Sequence, residues 1–203
     1  MNIVRHIDKY FGSTNFVGQD LREGIFEGCT FDRCDFTRCS MEEIQTSRCR
    51  FIQCDFQGAT MNASVHTESA FENCKFVEAN LFVARFNDCK MVGSDFSKAK
   101  MDGITLARGD WSYTNLRHMR LMKQDLRNIK FLEADLYEVN FEKSDLRDCD
   151  FTRAHLAKSK LQGSDLRGAN LDGVDFKSFE VRGARMDTTQ AIAFLRSYGA
   201  KVD

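Results

Sequence analysis

Eight cysteines and four histidines are the side chains of this 203-residue chain best suited to chemistry. Paired thiols form disulfides, thiolates and imidazoles bind zinc, and a Cys–His pair makes a nucleophile. Their spacing points elsewhere. Cys29, Cys34, Cys39, Cys49, Cys54, Cys74, Cys89 and Cys149 all differ in number by multiples of five, with no C-x-x-C pair among them. His6, His66, His118 and His155 stand in no metal-ligand spacing with one another, and no glycine-rich phosphate loop is present. Asp and Asn are abundant, but they recur at one repeated place rather than as an isolated acid–base pair. No catalytic, metal-binding or cofactor-binding residue is expected, and the chain is not expected to be an enzyme.

The element that must position these residues has a period of five. Every fifth residue from Phe11 to Met186 is large and apolar, with Thr46 and His66 as the exceptions, and this register takes fifteen of the eighteen Phe. A period of five matches neither the helical 3.6 nor the strand 2.0. A solenoid with five-residue sides puts all these side chains in one column, and four sides close a coil of about twenty residues. Two residues before each centre a small side chain prevails, leaving room for the large one, and all eight cysteines occupy that inward place. Cys there acts as a small hydrophobe. Cys34, Cys54 and Cys74 would stack in one column with parallel side-chain vectors that disfavour a bridge. About nine coils, stacked at the interstrand spacing of about 4.8 Å, would make a rod about 40 Å long. The absence of proline suits this, because each would remove an N–H that stacked coils need.

Free thiols imply a reducing compartment, the stretch Met1 to Lys9 lacks the apolar core of a signal peptide, and no segment approaches membrane-spanning length. A cytoplasmic protein without a membrane contact is expected. Residues 1–187 are read as one uninterrupted solenoid with a structural junction near 104–129. There Ile104, Met119, Gln124 and Ile129 replace the small inward residue and Trp111 takes a centre. Residues 188–203 change period. Asp187 and Thr188 are helix-starting residues, Gln190 to Tyr198 are mostly helix formers, and Gly199 suits a C-terminal cap, so a helix of about ten residues follows the last coil. Ile192, Phe194, Leu195 and Tyr198 cannot share one narrow stripe. That leaves two readings, a lid on the last coil alone, or a lid that also forms a homodimer interface.

Sides such as Ala134-Asp135-Leu136-Tyr137-Glu138 and Ala169-Asn170-Leu171-Asp172-Gly173 read small, Asp/Asn, Leu/Phe, then two free residues. This resembles the pentapeptide-repeat proteins over nearly the whole chain, which implies an all-β solenoid, a right-handed quadrilateral β-helix. The tail adds Met186, Asp187, Gln190, Ala191, Leu195, Gly199 and Val202. It resembles the ending of the Qnr, MfpA, AlbG and McbG type, which implies a homodimer joined through the C-terminal helix that binds DNA gyrase or topoisomerase IV and counters topoisomerase poisons.

That type implies mimicry of DNA by a negatively charged rod, whereas this chain has a net charge of −1. Dealt onto four faces by a twenty-residue coil, acids and bases differ by no more than one on any face. A mimic of this length would want on the order of twenty net negative charges. Arg127, Arg147 and Arg167 would neutralise a local patch at Asp125, Asp145, Asp148 and Asp165. A few placed contacts are therefore expected, with only partial mimicry. Basic residues are too scattered for a nucleic-acid stripe, so no direct nucleic-acid binding is expected. Candidate contacts are Gln45, Thr46, Arg48, His66 and Glu68, where the register breaks, and Arg108, Tyr113 and Arg117 near the junction. At Thr46 and His66 the alternatives are outward excursions, or polar side chains satisfied within the column. A generic pentapeptide-repeat scaffold for another protein is the second functional reading, favoured by the near-neutral surface.

Overall fold

A side chain that must point inward at every fifth residue forces the backbone to turn at every side, and a computed structural model, which describes residues 4–202, shows how. Residues 1–3 and 203 lie outside the described residues, and with them part of the N-terminal stretch read above for a signal peptide. On many sides the turn is closed by an i to i+3 hydrogen bond, such as Cys39 N–H to the Phe36 carbonyl at 3.0 Å and Ala59 N–H to that of Phe56 at 3.0 Å. The third residue of these turns has positive φ, as at Arg38 (54°) and Gly58 (65°). The recurrent Asp or Asn serves the same turn. Asp35, Asp55, Asp95 and Asp150 each accept the backbone N–H two residues on, at 2.9–3.0 Å. Each is worth about 1 kcal/mol net, which explains their frequency without catalysis.

The chain forms two compact units, divided between Asn115 and Leu116. In the first lie β1 (Arg5–Ile7), β2 (Tyr10–Gly12), β3 (Ile25–Glu27), β4 (Thr30–Asp32), β5 (Gln45–Ser47), β6 (Arg50–Ile52), β7 (Val65–Thr67), β8 (Ala70–Glu72), β9 (Arg85–Asn87) and β10 (Thr105–Ala107). They build a six-stranded parallel sheet, β1-β3-β5-β7-β9-β10, and a four-stranded one, β2-β4-β6-β8. Pairing joins residues twenty apart, as in Phe31↔Phe51 and Phe51↔Phe71. In the second unit the same spacing is held by isolated parallel bridges, among them Asp125↔Asp145 and Asp145↔Asp165. The fold is thus the expected quadrilateral β-helix, with a correction to the coil count: strand pairing carries about five turns rather than nine. Past β10 most sides retain a turn and a single bridge, too short for a strand.

The column is packed accordingly. Phe31 and Phe51 stack at 4.6 Å and Phe51 and Phe71 at 4.5 Å between ring centroids, nearly parallel, because register places identical side chains one interstrand spacing apart. Rings on adjacent sides meet edge to face, as Phe31 and Phe36 do at 5.5 Å. Trp111 is fully buried beside Phe86 and Phe96. All eight cysteines are buried and free. The thiols of Cys34, Cys54 and Cys74 each donate to a carbonyl 23 residues earlier, at 3.3 Å. Burial pushes Cys49 up to about 11 and Cys39, Cys89 and Cys149 up to about 12.

The second unit ends in α1 (Thr188–Ser197). Asp187 accepts from the Gln190 N–H and the Gln190 side chain accepts from the Asp187 N–H, both at 3.0 Å, a reciprocal cap. Gly199 takes φ +86° just beyond the helix, where glycine is favoured.

Candidate functional site

Thr46 and His66 do not face a partner. Both are buried, Thr46 at 3% and His66 at 0% exposure, so the expectation of outward excursions is corrected. Thr46 lies in β5 and His66 in β7, paired in register, and the two meet across the coil spacing at 2.8 Å between Oγ1 and Nδ1. Thr46 Oγ1 donates to Ser69 Oγ at 3.2 Å, and Ser69 Oγ donates to the Thr67 carbonyl at 3.0 Å. With the Thr46 proton so used, His66 Nδ1–H is the donor to Thr46. Nε2 then accepts from Ser64 Oγ at 3.0 Å. The imidazole stacks on Phe86 at 4.7 Å. Burial lowers its pKa to about 3, so the ring is neutral. Two register failures thus satisfy each other, and exposing either would break a closed network.

Their neighbours are exposed. Gln45, Arg48 and Glu68 lie at the surface, and Arg48 is paired with Glu27. Arg48, Arg50, Glu68, Glu72, Asp88 and Lys90 line one shallow depression of mixed charge. Arg108 and Tyr113 are exposed in the first unit, with Arg108 held by Asp88 at 3.1 Å. Arg117 belongs to the second unit, where it contacts Asp135 at 3.1 Å and lies 4.5 Å over the Tyr137 ring. Lys158 flanks the same ring at 5.1 Å, and His118 and His155 bond to Glu138 and Asp135 at 3.0 and 3.1 Å. The structure therefore groups Arg48 with Glu68, and Arg117 with a polar cluster around Tyr137 that the sequence reading had not singled out. Tyr137 gave a weak signal, an aromatic at an outward place.

Of the acidic patch expected in the second unit, Asp125, Asp145 and Asp165 are neutralised, while no ion pair among the described residues engages Asp148. Arg127, Arg147 and Arg167 each grip the Asp two residues before them with two nitrogens, at 2.6–2.9 Å. Longer contacts at 3.7 to 4.0 Å tie each of Asp145 and Asp165 to the arginines of other coils. The Arg167 guanidinium holds the Asp165 carboxyl down to about 2. The result is a self-paired ladder, not a field that imitates phosphates.

At the C-terminal end Gln190 is buried, and its Nε2 donates to the carbonyls of Leu166 and Ala169. Phe194 packs edge-on against Phe176 at 5.8 Å, and Ile192 is half-buried. Leu195 and Tyr198 remain 47% and 58% exposed. Sequence reasoning also passed over Phe82 and Val83, both exposed in the first unit. Here the signal was available, because Phe82 is one of three Phe outside the register. Among the described residues no group of three or more His, Cys, Asp or Glu could hold a metal ion. None of their helices is long and apolar enough to cross a membrane.

The family model for the pentapeptide repeat region matches residues 64–141, and that for pentapeptide repeats (8 copies) matches 29–65 and 149–187. Pentapeptide repeat protein MfpA of Mycobacterium tuberculosis (strain ATCC 25618 / H37Rv) is 33% identical over 84 residues, 41% of this chain. The match spans 46% of that protein, less than half its length. A trypsin-treated variant of QnrB1, a plasmid-mediated fluoroquinolone resistance protein, aligns over 98% of this chain and 99% of its own with a TM-score of 0.86. Full-length QnrB1 aligns over 97% and 100% with a TM-score of 0.68. Both are 20% identical to this chain, a likeness that speaks for the fold.

Proposed function

The chain belongs to the pentapeptide-repeat proteins, and on that premise we propose that it binds DNA gyrase or topoisomerase IV and protects the enzyme from topoisomerase poisons. The observation that carries this reading is the C-terminal end. The tail residues that resemble the Qnr and MfpA ending are those that cap this solenoid: Asp187 and Gln190 form the reciprocal cap and Gly199 ends the helix. Gln190 also fastens the helix to two carbonyls of the preceding coil. Leu195 and Tyr198 are left exposed beside Lys177, whose Nζ lies 5.7 Å from the Tyr198 ring, an apolar pair suited to a second copy. The protein acts as a homodimer through α1, without nucleic acid or a cofactor, and its buried free thiols suit the cytoplasm.

Binding proceeds by placed contacts. The near-zero net charge and the Asp–Arg ladder give the surface too weak a field for whole-surface mimicry of DNA. The same neutrality favours a second reading, a scaffold for some other protein. A gyrase supercoiling assay with and without a poison such as a fluoroquinolone separates the two. Protection predicts restored supercoiling and fewer trapped cleavage complexes as the protein is titrated. No effect across several poisons, up to a large molar excess, would refute it in favour of the scaffold.

A further inference from the structure

Val83 occupies a conformation that its side chain disfavours. It sits in the left-handed region at φ 51°, where a β-branched residue is an outlier. Among the described non-glycine residues with positive φ it is the sole β-branched one. The adjoining coil makes room for it, since a Cβ at Gly103 would come within 2.9 Å of Val83 Cγ1. Phe82 and Val83 are 53% and 38% exposed, the one pair of consecutive exposed large hydrophobics among the described residues. Coil stacking does not need either side chain. Their part in it is main-chain, the Phe82 carbonyl accepting from Ala63 N–H at 2.9 Å and Val83 N–H donating to the Asp102 carbonyl at 3.0 Å. Exposed apolar surface and local strain, with no structural return, mark a place kept for binding.

Acids outnumber bases on the side that carries this pair. The same side of the first unit carries Asp20, Glu23, Glu42, Glu43 and Asp102 against Arg22 and Lys100. Arg22 is already held by Asp20 at 2.6 Å. No ion pair among the described residues engages Glu43, Asp102 or Lys100, and Glu42 Oε2 is buried without a hydrogen-bond partner there. We infer that Phe82 and Val83 form an apolar anchor, rimmed by Glu42, Glu43 and Asp102, that docks into a basic protein surface of the topoisomerase. The inference rests on the topoisomerase reading above. Its acidic rim disfavours nucleic acid and a second copy of the same face, because like charges would be brought together.

The test measures equilibrium binding to purified DNA gyrase and topoisomerase IV for the wild-type protein, for F82S/V83G and for E43K/D102K. A central anchor predicts binding at least about tenfold weaker for F82S/V83G. Its unfolding temperature should stay level or rise, because glycine relaxes the left-handed turn. E43K/D102K should slow association, by a factor that shrinks as salt is added. Wild-type affinity in F82S/V83G overturns the anchor while leaving the topoisomerase reading intact. So does weakened binding accompanied by a fall in stability, or a loss of self-association in that variant. Failure of the wild-type protein to bind either enzyme refutes the topoisomerase reading, and this docking site with it.

Discussion

Replacing His66 with Phe should remove an acid sensitivity that is built into the core. Folded His66 refuses a proton until about pH 3, whereas in the unfolded chain it takes one up near 6.5. The sign follows from linkage. Above pH 6.5 both states hold a neutral imidazole and the group is silent. As pH falls from 6.5 towards 3 only the unfolded state is protonated, and stability declines by about 1.4 kcal/mol per pH unit. At pH 4.5 this amounts to about 3 kcal/mol, and His66 is fully buried, so solvent does not screen the effect. In H66F a ring still stacks on Phe86, but Ser64 Oγ and Thr46 Oγ1 each lose a partner, a loss of about 1–3 kcal/mol at neutral pH. Carboxylates such as Asp165 that are depressed in the folded state weaken both proteins equally on acidification. Urea unfolding of wild type and H66F from pH 7 to 4.5 isolates the histidine. H66F should lie about 1–3 kcal/mol below wild type at pH 7 and gain about 3 kcal/mol on it by pH 4.5. Parallel curves would refute a neutral, buried His66.

Q190A should destabilise the C-terminal end by about 1–3 kcal/mol, because it removes the side-chain half of the reciprocal cap and the donor to the Ala169 carbonyl, seen as early loss of helical circular dichroism on heating. L195D/Y198S should convert a dimer to monomers in sedimentation without changing the unfolding of the solenoid, because both side chains are exposed in the single chain. A dimer that survived would move the interface away from α1. The native protein should react negligibly with a thiol reagent at pH 8, since all eight thiols are buried and Cys39, Cys49, Cys89 and Cys149, raised to about 11–12, supply little thiolate, and all eight should react in denaturant.

The sequence alone determined the repeat. A five-residue period sustained from Phe11 to Met186 admits few backbones, and the small inward residue, the turn-capping Asp and the missing proline all agree with one of them. The helix over Thr188–Ser197 was legible for the same reason: caps and period are local properties. Tertiary structure decided what the exceptions mean. Thr46 and His66, twenty residues apart, could have been a bulge or a buried pair. The outcome depended on Ser64 and Ser69 lying within hydrogen-bond reach of them. The same holds for charge. Composition counts acids and bases, but only stacking brings Asp145 within reach of Arg127, while no ion pair among the described residues engages Glu43 or Asp102. Phe82 and Val83 show the limit most plainly. Their residue types are written in the sequence, whereas their exposure and the left-handed backbone at Val83 follow from the turn in which the coil places them. A period records which residues point inward, because burial acts at every repeat. What the outward residues meet depends on neighbours a full coil away, which no local pattern encodes.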